Sequence, residues 1–199
     1  MMLAVTAEIV GSDEALAERA RRGARDAFAA LVARYQDRIY RLAMRMSRNA
    51  SDAEEITQET FLQAHRCIGS FQGTSRFGTW LYRIAVNEAL MCRRSAKRRP
   101  LESLDALLPR LADIGVEGDG QAARADDLVY SKALARRVRD ALDHLDETHR
   151  AALVLRDLEE FTAEEAAEIL GVSPEAVRQR AHRARLKLRE LLADLLADS

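Results

Sequence analysis

Two cysteines, Cys67 and Cys92, are all that this 199-residue chain holds. They are too few for a disulfide framework and sit at no zinc-binding spacing, so both read as small packing residues. Proline is nearly as scarce, with 3 residues, and glycine has 9. A chain so poor in helix breakers, and dominated by Ala, Leu, Arg and Glu, is expected to be all-α. Long apolar runs are missing too. No stretch of about twenty residues is free of charge, so no membrane insertion is expected. The N-terminus shows no basic head followed by an apolar run, which points to the cytoplasm. Enzyme signatures are absent: there is no G-x-x-x-x-G-K-[ST], no H-E-x-x-H and no G-x-S-x-G. His144 and His149 have no cysteine or third histidine nearby, so a metal site is not expected either. The sequence thus predicts no catalytic residues, no metal and no cofactor.

What is present is segregated charge. The formal net charge is only −1, with 32% of residues charged. Positive side chains concentrate at Arg93, Arg94, Lys97, Arg98 and Arg99, and again from Arg178 to Arg189. Acids gather at Asp52, Glu54, Glu55 and Glu59, and between Glu159 and Glu168. Such separation fits distinct surfaces for distinct partners, although single charged runs are usually solvated helix faces.

Ser12 is placed to cap a first helix. A second runs from about Asp26 to Met46, with Phe28, Leu31, Val32, Tyr35, Ile39, Leu42, Ala43 and Met46 at helical spacing. Ser51 and Glu54 form an S-x-x-E box that is expected to open the next helix. There Ala53, Ile56, Thr60, Ala64 and Ile68 make the inward stripe, while Glu55, Gln58, Glu59 and Leu62 share another face. After a loop from Gly69 to Gly78, a helix is expected from about Thr79 to Arg98, before Pro100. On it Trp80, Arg83, Asn87, Met91, Arg94 and Arg98 fall on one stripe. Periodicity fades from Leu101 to about Asp127, which reads as an acidic linker. It resumes at about Leu128 and leads to "FTAEEAAEILGVSPEAVRQRAHRARLKLREL". Thr162 and Glu165 form a capping box, Gly171 sits at a tight turn, and Ser173 caps a helix with Pro174 in first position. Val177, Ala181, Ala184 and Leu188 point inward. This is a helix-turn-helix.

The second helix of such a motif enters the DNA major groove. Its outward positions near the start are Glu175, Arg178, Gln179, His182 and Arg183. Arg pairs with guanine through two hydrogen bonds, and Gln with adenine. Arg180, Arg185, Lys187 and Arg189 suit phosphates or neighbouring surface. The stretch from Ser70 to Arg99 interleaves aromatics with cations, a pattern suited to unpaired nucleic acid. The plainer alternative is that Phe71, Phe77 and Trp80 are core residues beneath a loop.

Three segments, in order, carry a resemblance: "DAEEITQETFLQAHR", then "SFQGTSRFGTWLYRIAVNEAL" with its basic tail, then "EEAAEILGVSPEAVRQRAHRARLKLRE". Together they closely resemble bacterial RNA polymerase sigma factors of the extracytoplasmic-function (ECF) class, over about Asp26–Arg99 and Leu134–Leu191. The resemblance implies two small helical domains, at 12–100 and 128–195, joined by the linker 101–127. It implies that Glu55, Gln58, Glu59 and Leu62 dock on core RNA polymerase. Phe71 and Asn87 would line a pocket for a flipped base of the melted non-template strand. Trp80 would mark the edge of the bubble, with Arg83, Arg94, Lys97 and Arg98 on minus-ten phosphates. Arg178, Gln179, His182 and Arg183 would read duplex promoter DNA at the minus-thirty-five element. An anti-sigma factor is the implied regulator.

The sequence departs from the family pattern in four places. His65 stands where Trp is common. Gly78 precedes the Thr-Trp pair, where a larger residue is usual. "LDETHRAAL" replaces a Pro-containing turn, and Glu175-Ala176 replaces a frequent Gly-Thr pair. Two other readings compete with the sigma reading. A stand-alone helix-turn-helix repressor leaves the aromatic loop and the acidic helix without a role, and a protein-binding adaptor leaves both basic helices without one.

Overall fold

Short polar side chains that take up the free N–H groups of a first helical turn set most helix starts in this chain. The computed structural model describes residues 11–47, 49–98, 137, 138 and 140–193, with side chains of the first half described up to Ser95. Ser12 caps α1 (Asp13–Arg21) by accepting the Ala15 N–H at 3.2 Å. After a turn at Gly23, α2 spans Arg25–Met46. Helix α3 is Ala50–Cys67. Its cap is not the expected Ser51 but Asn49, whose extended backbone lets its carboxamide accept the Asp52 N–H at 2.8 Å. Both residues have capping chemistry; the helix already exists at Ala50, so Ser51 lies inside its first turn. A short 3-10 turn, Ile68–Ser70, follows. Helix α4, Phe77–Arg98, starts two residues before the expected Thr79.

In the second half a helical stretch covers 140–143. Asp146 then caps α5 (Glu147–Leu153), which runs straight into a π-helical turn, Val154–Leu158. Glu159 N–H closes that turn onto the Val154 carbonyl at 2.9 Å. The capping box of Thr162 and Glu165 opens α6 (Ala163–Leu170), and Gly171 ends it in the left-handed conformation, φ 65°. Ser173 and Pro174 open α7 (Pro174–Leu191) as the sequence predicts. The expected all-helical fold and the helix-turn-helix are both present.

The apolar stripes fix the packing. Leu31, Tyr35, Ile39, Leu42, Ala43 and Met46 of α2 face Ala53, Ile56 and Ala64 of α3 and Leu81, Ala85, Val86 and Ala89 of α4, all buried. Burying each large aliphatic side chain contributes about 1.5–3 kcal/mol. Helix α1 is tied to this bundle by polar bonds: Asp13 accepts the Tyr35 hydroxyl at 2.5 Å and pairs with Arg34 at 2.8 Å. The apolar cluster does not stop at the end of the first half. Val154, Leu155, Ala166, Ala167, Ile169 and Val177 belong to it, while Leu142, Leu145, Leu153 and Ala184 form a smaller one. Among the described residues no helix is long and apolar enough to cross a membrane. The predicted linker 101–127 and the start of the second domain, 128–136, lie outside the described residues, as do the side chains of Lys97 and Arg98.

Candidate nucleic-acid and protein interfaces

On α3 the stripe that buries Ala53, Ile56 and Thr60 turns Glu55, Gln58 and Leu62 outward; Leu62 is 51% exposed. Glu59, half-buried, pairs with Arg66 at 3.0 Å. It also faces α4: burial, and then the Glu59 charge, push the Glu88 carboxyl above its ordinary range. His65 packs edge-on against Phe28, centroids 5.0 Å apart, so the imidazole keeps an aromatic contact where Trp is common.

The loop after α3 folds back because its phenylalanines are apolar anchors. Phe77 is 1% exposed and Phe71 is 8% exposed. Their rings meet Tyr35 and Trp80 in one nest, with centroid separations of 5.2–5.9 Å. Both phenylalanines are therefore core residues. Only Trp80, half-buried, reaches the surface. The ring of Phe71 forms the floor under Trp80 rather than a free stacking face. Beyond Trp80, Arg83, Asn87, Met91 and Arg94 are exposed along the same side of α4.

Gly78 has a steric reason. A Cβ there would lie 2.9 Å from the Tyr35 hydroxyl oxygen. The larger residue usual at this place would collide with the Tyr35–Asp13 bond.

On α7, Val177, Ala181 and Ala184 are buried, which turns Arg178, Gln179, His182 and Arg183 to solvent. Arg178 is held by Glu175 at 3.2 Å and by Glu164 of α6 at 3.4 Å, and Gln179 reaches Glu175 at 3.4 Å. Glu175 thus positions two of the four candidate readers. Arg185 makes neighbouring surface: it grips Asp157 with two bonds, 2.6 and 2.7 Å, and that pairing raises its pKa further.

Sequence reasoning missed a polar seam between the halves. The Glu159 carboxylate receives Arg45 and, at 2.8 Å, the hydroxyl of Tyr82. Asp143 accepts Arg93 at 3.2 Å and Arg150 at 2.6 Å, and both guanidiniums also reach the Met46 carbonyl. Arg150 is fully buried and Arg93, which the sequence places in a basic run, is 5% exposed. Burial, and then Glu159, push the Tyr82 phenol well above its ordinary value. A cleft of about 560 Å³ borders the seam, lined among others by Arg38, Arg41, Arg76 and Glu165. Among the described residues no group of His, Cys, Asp or Glu could hold a metal ion.

Residues 31–99 match the family Sigma-70 region 2, and residues 135–188 match Sigma-70, region 4. The chain is 35% identical over 180 residues to the ECF RNA polymerase sigma factor SigW of Bacillus subtilis, covering 89% of this chain and 95% of that protein. The chain belongs to the ECF RNA polymerase sigma factors. It is also 40% identical over 178 residues to the RNA polymerase sigma factor CarQ of Myxococcus xanthus, covering 89% of this chain and 96% of the other. Among solved structures it is similar to CnrH in complex with the cytosolic domain of CnrY, with a TM-score of 0.67, 30% identity and coverage of 95% of this chain and 100% of that one. A further complex, RpoE of Bartonella quintana with the anti-sigma factor NepR, shares the fold at TM-score 0.62 and 24% identity. An ECF sigma factor is a transcription initiation factor and not an enzyme. The features that matter in this ECF sigma factor are therefore its surfaces.

Proposed function

We propose that this chain docks on core RNA polymerase and directs it to promoters through two separate readers. The first domain, 12–100, offers Glu55, Gln58, Glu59 and Leu62 to the polymerase clamp. An acidic ring around one exposed leucine suits a basic helical partner with an apolar contact. The exposed side of α4 takes the melted minus-ten strand. Trp80 stacks at the edge of the bubble, Asn87 hydrogen-bonds an extruded base, and Arg83, Arg94, Lys97 and Arg98 hold phosphates. Phe71 supports Trp80 from below. Each stacked base contributes about 1–3 kcal/mol, so strand opening is driven by binding and needs no catalysis. The second domain, 128–195, reads the minus-thirty-five duplex with Arg178, Gln179, His182 and Arg183. The linker 101–127 ties two modest contacts together at high effective concentration. Sigma factors of this class act in the cytoplasm, and an anti-sigma factor is the expected regulator, as in the neighbouring complex of RpoE with NepR.

The observation that carries this reading is the stripe on α4. One half-buried indole and, exposed beyond it, one carboxamide and two cations line one side of a helix whose other side is core. Run-off transcription with purified core polymerase on a genomic promoter library, with and without this protein, tests it. Initiation from a defined promoter set is expected. Tight, specific duplex binding without polymerase, and no gain in initiation, would indicate a stand-alone repressor instead.

A further inference from the structure

Glu175 is out of keeping with the helix it opens. Between Arg178 and Arg189 the reading helix α7 carries cations and no acid, yet a carboxylate stands exposed in its first turn. Phosphates repel a carboxylate, so on DNA it lowers affinity for every sequence alike. An acid in a first turn does favour the helix dipole. The Ser173 cap and Pro174 already make this helix start, however. The contacts of Glu175 point to another use. Glu175, Arg178 and Gln179 stand at i, i+3 and i+4, on one side of the helix. The carboxylate accepts Arg178 Nε at 3.2 Å and faces Gln179 Nε2 at 3.4 Å. Glu164 of α6 approaches the same guanidinium at Nη1, 3.4 Å away. Arg178 is thus flanked by acids from both helices of the motif, while 52% of its side chain stays open to solvent. Its Nη2 has no partner among the described residues. Exposed pairs of this kind add little to fold stability.

We propose that Glu175, supported by Glu164, is a specificity-determining positioning residue of the duplex reader: it orients Arg178 and Gln179, sharpening base choice while lowering affinity for all DNA. The inference rests on the minus-thirty-five role assigned to those two side chains. An unrestrained Arg swings between phosphates and the edges of neighbouring base pairs. Held at Nε and Nη1, Arg178 presents Nη2 in one direction. A carboxylate only accepts hydrogen bonds, so Gln179 has to turn Nε2 toward it. That sets the carboxamide and leaves Oε1 and the second Nε2 hydrogen for a base. Adenine offers the matching donor beside an acceptor in the major groove. The two acids also offset the Arg178 charge. This weakens the pull of phosphates, which is the same on any sequence, and leaves the base edge to decide.

The test uses holoenzyme assembled from core polymerase and the full chain. Its substrates are duplex promoters with a fixed minus-ten element and a randomised upstream element, sequenced before and after binding. Arg178→Ala and Gln179→Ala first mark the base pairs that each side chain addresses. Glu175→Ala is then expected to lower base preference at both by about two- to fivefold, the range that exposed ion pairs span. Promoters mismatched at those positions should bind more tightly at low salt, a gain that fades as salt is added. Glu175→Gln keeps an acceptor without the charge and should retain more of the preference than Glu175→Ala. Glu164→Ala, which loses a contact to Arg178 alone, should relax only the base pair of Arg178. It carries the same test should Glu175→Ala fail to fold by circular dichroism. Unchanged preferences overturn the inference. So does uniformly weaker binding, which marks a role in helix stability alone. Preference lost only at a base pair that neither neighbour addresses also overturns it, because Glu175 would then read a base itself. If Arg178→Ala and Gln179→Ala leave every preference unchanged, the minus-thirty-five reading fails, and this inference with it.

Discussion

Gly78→Ala puts the packing argument to a sharp test. In an exposed helix interior, replacing Gly by Ala stabilises by up to about 1 kcal/mol. Here the new methyl carbon falls 2.9 Å from the Tyr35 hydroxyl oxygen. Tyr35 has little room to yield. The residue is 7% exposed, its ring packs edge-on against Phe77 at 5.6 Å, and its hydroxyl is committed to Asp13 at 2.5 Å. Overpacking of this kind costs about 1–3 kcal/mol. Losing a hydrogen bond to a charged acceptor adds about 1.5–3 kcal/mol if the hydroxyl is pushed away. Set against the propensity gain, the two costs leave Gly78→Ala destabilising by about 1.5–5 kcal/mol in urea unfolding when the hydroxyl is displaced. A double-mutant cycle isolates the cause. In a Tyr35→Phe background the colliding atom is gone, so Gly78→Ala should cost far less or even stabilise. An equal cost in both backgrounds, or a more stable single variant, would refute the steric account of this glycine.

The other predictions are more local. Arg150→Ala removes a buried guanidinium that bridges Asp143 and the Met46 carbonyl; a loss of about 3–5 kcal/mol is expected in denaturant unfolding. The Asp146 carboxyl, held low first by the Thr148 hydroxyl and then by backbone N–H groups at the start of α5, has a folded pKa below its ordinary value of 3.8. Its contribution to stability is therefore present above that ordinary value and lost as pH falls through the folded pKa, which NMR titration and unfolding at acid pH would follow. Asn87→Ala should impair open-complex formation more than binding to core polymerase, and equal loss in both assays would count against the base pocket. Arg178→Ala should relax base preference at the upstream element by about 1–3 kcal/mol at one position, measured by competition between duplex promoters.

Local chemistry was legible from the residues. Ser12, Thr162 with Glu165, Ser173 with Pro174, and Gly171 mark helix ends because the side chain or backbone freedom that makes the end is in the residue itself. The stripe from Ala53 to Ile68 was legible for the same reason, as was the outward set Glu55, Gln58 and Leu62. The start of α3 was not, because Asn49 and Ser51 both have capping chemistry and only the backbone conformation separates them. Phe71 and Phe77 stand among Gly, Ser and Thr, where periodicity gives no signal, so their burial emerges only when Tyr35 and Trp80 are brought beside them. The seam was invisible for a stronger reason. Arg45 and Glu159 are more than a hundred positions apart, and each reads locally as a solvated charge. Arg93 looked like one more cation in a basic run until Asp143, fifty positions on, was brought against it.

The π-helical turn at Val154–Leu158 gives the seam an unusual vulnerability to insertion and deletion. It places one extra residue in a turn, and one residue in an α-helix corresponds to a rotation of about 100°. Upstream, Arg150 faces Met46; inside the turn, Asp157 faces Arg185; just after it, Glu159 faces Arg45. Removing a single residue from this turn would leave α5 and α6 intact yet swing Glu159 away from Arg45. Length at this one place therefore acts as a key: two chains with the same domains and the same readers, differing by one residue here, would be expected to pair their halves differently across the seam.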